Sequence, residues 1–146
     1  MDFTRVSLAA FVAWAVSATY GIAVQMTVLG AEFEKYPAVF RSEGALNGNV
    51  PLMLAGQLLA MFALAYIYAK GYEGGNGLLE GIRFGIVLAL FTFGFASVGI
   101  YGSINIDRGI AVLGSVFMII EMIVVGAVIG AMYKPAARSK TAASAV

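Results

Sequence analysis

The sequence predicts an all-α protein, a four-helix transmembrane bundle, on three observations. The chain of 146 residues is 61% hydrophobic and 12% charged, against roughly 25% charge in an ordinary soluble domain. Its mean hydropathy is +0.90. The apolar residues are gathered in four long blocks, and a helix needs roughly 20 residues to cross about 30 Å of hydrocarbon. None of the blocks alternates apolar and polar residues with a period of two, so transmembrane strands are not expected.

The first span is expected over residues 7–30. Its opening, Met1-Asp-Phe-Thr-Arg5 before an apolar run and Val16-Ser-Ala18, resembles a signal peptide with a cleavage site. The apolar character continues to Gly30, however, which is too long for a signal h-region, and the segment reads as a retained helix. The other spans are expected over 50–69, 78–103 and 109–133. Together residues 1–134 form one domain, and the Ala-, Ser- and Lys-rich stretch 135–146 reads as a disordered cytoplasmic tail.

Basic residues set the orientation. Arg5, Lys70, Arg83, Lys134, Arg138 and Lys140 fall on one side; Lys35, Arg41 and Arg108 fall on the other. The positive-inside rule then puts both termini in the cytoplasm. Gly71-Tyr-Glu-Gly-Gly-Asn-Gly77 is a short turn, so the second and third helices are expected to be antiparallel neighbours. The segment 31–49 is the longest connection. Phe33, Tyr36, Pro37 and Phe40 recur in it at near-helical spacing, which fits either a short interfacial helix on the outer face or a polar loop with anchoring rings.

Inside a bilayer, helices associate by close packing, which small residues permit. The first helix carries Ala9, Ala13, Ser17 and Gly21 at four-residue steps, and the second has Gly56 and Ala60. The third opens with Gly77, Gly81 and Gly85, and the fourth closes with Gly126 and Gly130. The opening Gly77-Leu-Leu-Glu-Gly-Ile-Arg-Phe-Gly85, preceded by the helix end Ala65-Tyr-Ile-Tyr-Ala-Lys70, resembles a layout found in small four-helix bacterial integral membrane proteins of unknown function. The resemblance covers roughly the second half of the chain. It carries no known activity, and no functional residues transfer with it.

Glu121 is the one charged residue in the middle of a span. An ionised group near mid-bilayer is costly, so this carboxyl is expected to be neutral and to have a task. Tyr20, Gln57, Thr92, Thr19 and Ser97 lie at broadly similar depths and are candidate hydrogen-bond partners. Glu121 reads in two ways: as a neutral acid tying helices or meeting a partner subunit, or as a proton-carrying or cation-binding group. Glu80 and Arg83 share a helix face at the start of the third span and form a candidate ion pair. Asp107 is a candidate N-cap of the fourth helix. Trp14 and the Phe91, Phe93, Phe95 cluster read as packing rings, or as rings flanking a pigment, quinone or acyl chain.

The chain has no cysteine and no histidine. Disulfides, a thiolate nucleophile, an imidazole base and Cys- or His-ligated metals are therefore excluded. No catalytic set, metal site or cofactor is expected, and a net charge of +1 gives no argument for nucleic acid. The expected function is that of a non-enzymatic membrane protein. It reads as an accessory subunit of a larger redox, photosynthetic or transport complex in the bacterial inner membrane, its partners being lipid and other subunits or further copies. The alternative is a small proton-coupled transporter or channel with Glu121 as the coupling carboxylate.

Overall fold

The structure is a computed structural model and describes residues 2–133; the tail 135–146, and with it Lys134, Arg138 and Lys140, lies outside the described residues. Four helices are long and apolar enough to cross a membrane: α1 (Phe3–Phe33), α2 (Glu43–Gly71), α3 (Gly77–Tyr101) and α4 (Arg108–Met132). Three begin at side-chain caps that satisfy free backbone N–H groups of the first turn. Asp2 accepts from Thr4 N and Arg5 N, Asn76 from Leu78 N and Leu79 N, and Asp107 from Gly109 N.

The first connection differs most from the sequence reading. α2 starts at Glu43, about two turns before Val50, and carries Pro51 within it. Near a membrane surface the polar run 43–49 satisfies its backbone best by joining the helix, and Asn49 Nδ2 adds a bond to the Ala45 carbonyl at 3.1 Å. Residues 31–33 belong to α1, which passes through a π-helical turn at Gln25–Leu29 before ending. No separate interfacial helix lies in the loop 34–42. Instead Val39 N and Phe40 N donate to the Tyr36 carbonyl in a turn, which brings Phe33 and Phe40 into a stack with centroids 4.2 Å apart. A second π-helical turn, Phe93–Val98, interrupts α3.

α1 and α4 form the central pair, with α2 against α1 and α3 along α4. The second and third helices are joined by a short turn but are not packed side by side; they meet at their shared end, where the Tyr68 ring packs on Phe84 and its hydroxyl donates to the Gly77 carbonyl at 3.1 Å. The cause lies in α3's glycines, which dock on α4. A Cβ on Gly81 would sit 2.9 Å from Gly130 Cα, and one on Gly126 would sit 2.6 Å from Gly85 Cα. Backbone touches backbone along this seam, and only glycine fits.

The buried core occupies the half of the bundle nearest Tyr133. There Val6, Ala9, Ala10 and Ala13 of α1 meet Met61, Ala65 and Tyr68 of α2 and Val125, Ile129 and Tyr133 at the end of α4. Towards the Tyr36 end α2 loses its cover. Its buried residues are confined to Met61, Ala65 and Tyr68, while Leu52 and Leu59 are 74% and 73% exposed. At that end the two loops touch, the Asp107 N–H donating to the Tyr36 hydroxyl at 3.3 Å.

Candidate functional site

Glu121 lies about 17 Å from the Met132 end of α4, and Ser17 and Gln57 about 21 Å from the corresponding ends of α1 and α2, at a rise of about 1.5 Å per residue. These three side chains meet. Gln57 Nε2 donates to Ser17 Oγ at 2.8 Å, and Ser17 Oγ donates to Glu121 Oε1. The chain of bonds runs from α2 through α1 to α4 and crosses the top of the packed half. Two further bonds reinforce it. Tyr20 OH donates to the Phe117 carbonyl at 3.0 Å, tying α1 to α4, and Trp14 Nε1 donates to the Leu54 carbonyl at 3.0 Å, tying α1 to α2.

Ser17 is the hub and is 1% exposed. Among residues packed as closely as Ala9 and Ala13, only a serine supplies both an acceptor for Gln57 and a proton for Glu121 at no cost in volume. Glu121 and Gln57 are half-buried. Among the described residues, neither Glu121 Oε2 nor Gln57 Oε1 has a hydrogen-bond partner, and neither is a sealed, unsatisfied atom. The site thus has a closed side, held by Ser17, and an open side.

The other candidates are placed elsewhere. Thr92 donates to its own helix, to the Leu88 carbonyl at 2.5 Å, and Thr19 likewise to the Ala15 carbonyl at 2.8 Å. An apolar surrounding favours this back-bonding, because the carbonyl four residues earlier is the nearest acceptor. Ser97 is buried within the π-helical turn of α3, and α3 contributes no side chain to the polar chain.

Glu80 does not pair with Arg83, which is exposed. Its carboxylate turns back and accepts from Gly75 N at 2.6 Å and Glu73 N at 3.3 Å. Gly74, at φ +92°, turns the loop so that these N–H groups face the helix start, where an anion is also favoured by the helix dipole. Gly77, Gly81, Gly85, Gly126 and Gly130 all lie in the α3–α4 seam. Phe91 and Phe95 stack in parallel at 6.0 Å on the outer surface, whereas Trp14 packs edge-on against Phe11.

Sequence reasoning did not single out Ser17 as a site residue. It was visible only as one member of the small-residue stripe, and the signal for it was its hydroxyl at the same depth as Gln57 and Glu121. No group of three His, Cys, Asp or Glu side chains that could hold a metal ion exists among the described residues. Fold and composition define a multi-pass integral membrane protein of four spans. Comparison of the chain with protein-family models, with curated proteins and with solved structures gives no match.

Proposed function

We propose that this chain is a non-enzymatic accessory subunit that stabilises a larger membrane assembly of redox, photosynthetic or transport type. The observation that carries this reading is the uncovered half of α2. Among the described residues none from Glu43 to Ala60 is buried, although this stretch stands beside a well-packed half. Membrane helices gain from close packing, and a flank bearing Gly44, Gly48 and Gly56 with open space above each offers a neighbouring subunit close approach. The polar chain fits the same reading, because Ser17 and Gln57 hold Glu121 as a tie between helices. The resemblance to small bacterial membrane proteins and the excess of basic residues on one side support the bacterial inner membrane, with both termini in the cytoplasm.

The test is purification from the native membrane in a mild detergent, followed by identification of what accompanies the chain. Stoichiometric recovery of other membrane polypeptides is the expected result. A chain that runs alone, as a monomer or homodimer, overturns the proposal.

One observation favours a second reading, a proton-coupled transporter or channel. Glu121 keeps an oxygen unbonded and open at mid-span, as a group that exchanges a proton would. On that reading Glu121→Gln abolishes proton-linked flux in a folded, inserted protein. As an accessory subunit, the same variant changes co-purification or stability alone.

A further inference from the structure

The groups that meet at mid-span are all oxygen ligands or can present one: the Glu121 carboxylate, the Ser17 hydroxyl and the Gln57 amide. They come from three different helices, lie within hydrogen-bonding reach of one another in sequence along the chain, and leave Glu121 Oε2 and Gln57 Oε1 without partners among the described residues. We infer that Glu121, Ser17 and Gln57 form a binding site for a small monovalent cation, sodium in chemical class, that competes with a proton for the same carboxyl.

The charge balance selects the valence. A single carboxylate neutralises a single positive charge, whereas a divalent ion would leave one charge uncompensated in hydrocarbon, where the penalty is several kcal/mol. The ligand chemistry selects the kind of ion. Hard cations take carboxylate, hydroxyl and amide oxygens, and there is no sulfur or imidazole here to hold a softer metal. The groups are already gathered, Gln57 Nε2 lying 2.8 Å from Ser17 Oγ, so a small ion needs less movement of the helices than a large one.

Each occupant suits a different orientation of Gln57. With its NH2 towards Ser17, as seen here, hydrogen bonds run from Gln57 to Ser17 to Glu121, and the proton of a neutral Glu121 belongs on Oε2. Turning the amide over presents Oε1 to an ion, while Ser17 still donates to the carboxylate. No other charge intrudes on the competition. Tyr20 on α1 is the titratable side chain facing Glu121; α2 carries none from Gly44 to Ala65, α3 none from Phe84 to Ile100, and α4 no other from Gly109 to Met132. The site deepens the transporter reading but does not depend on it, and an assembly subunit could bind the ion structurally. Native purification tests the subunit proposal and ion competition tests this one, so either can fail alone.

The full chain is reconstituted in phosphatidylcholine vesicles and treated with dicyclohexylcarbodiimide. This apolar reagent adds across a protonated carboxyl with no leaving group and is followed by peptide mass mapping. The expected result is a single adduct at Glu121 whose formation sodium chloride slows and choline chloride at equal ionic strength does not. Where Glu121 is mostly protonated, the sodium concentration giving half-protection rises about tenfold for each unit that pH falls, as linked competition for one group requires. Ser17→Ala and Gln57→Leu, checked for helicity by circular dichroism, keep the adduct and lose sodium protection. Absence of the Glu121 adduct, labelling indifferent to sodium, or equal slowing by choline each overturns the inference.

Discussion

Replacing Gly126 by alanine sets a methyl carbon 2.6 Å from Gly85 Cα and Gly85 N, with the Gly81 carbonyl closer still. Non-bonded carbons rest at about 3.5–4.0 Å, so α3 and α4 have to separate by about 1 Å along their glycine seam. Nothing flexible lines the contact to absorb the methyl group, because its neighbours are backbone atoms. Overpacking of this kind costs about 1–3 kcal/mol. Alanine recovers roughly 1 kcal/mol of helix propensity, and burial in place of lipid adds little within a bilayer. The difference is a net destabilisation of about 0–2 kcal/mol, centred on about 1 kcal/mol or roughly 5-fold in the unfolding equilibrium. Gly56→Ala is the matched control. Nothing lies within 4 Å of the added Cβ, so propensity acts alone, and the variant is unchanged or up to about 1 kcal/mol more stable. Both are measured by denaturant titration in mixed micelles, followed by circular dichroism. A Gly126→Ala midpoint equal to or above that of the parent would show that the seam does not limit stability, and would refute the reasoning.

Other perturbations separate the remaining contacts. Ser17→Ala removes both bonds of the hub and should destabilise by about 1 kcal/mol, since interhelical hydrogen bonds in membranes average about 0.6 kcal/mol. Glu121→Gln retains an oxygen that accepts from Ser17 and should stay within about 0.5 kcal/mol of the parent, on the same scale. A larger loss in Glu121→Gln than in Ser17→Ala would contradict the assigned bond direction. Trp14→Phe loses the bond to the Leu54 carbonyl but keeps an aromatic ring beside Phe11, and should cost about 0.5–1.5 kcal/mol in the same titration. Glu80→Ala frees the N–H groups of Gly75 and Glu73 and should raise the rate of protease cleavage in the 72–76 loop several-fold. Arg83→Ala should leave that rate unchanged; equal sensitivity of the two variants would restore the ion pair that the structure does not contain.

Legibility varied with the range of the physics involved. The spans were readable because hydropathy over 20 residues is a local property, and so were the Asp107 cap and the small-residue character of α3 and α4. The start of α2 was not. The span was expected from Val50, but the helix begins at Glu43 and runs through Pro51, because the preceding polar residues satisfy their backbone groups by coiling. Glu80 and Arg83 have ideal spacing for a pair, yet loop N–H groups one turn away compete for the carboxylate and win. At the site, depth counting brought forward Glu121, Gln57, Tyr20 and Thr92. Depth gives no azimuth, so it could not tell that Gln57 faces Ser17 while Thr92 bonds its own helix, or that Tyr20 reaches the Phe117 carbonyl.

By itself the sequence determined the solvent in which this protein folds, the number of spans, and the confinement of buried chemistry to a single carboxyl without histidine or cysteine. Those follow from composition and from the length of hydrocarbon a helix must cross. Which helices are neighbours was decided only by tertiary structure. Backbone-to-backbone fit drew α3 onto α4 rather than onto α2, its partner across a short turn, and rotation of the three remaining helices turned Ser17, Gln57 and Glu121 towards one another. Contacts of a few ångströms between distant segments depend on the angular setting of each helix, and in an apolar span packing sets that angle.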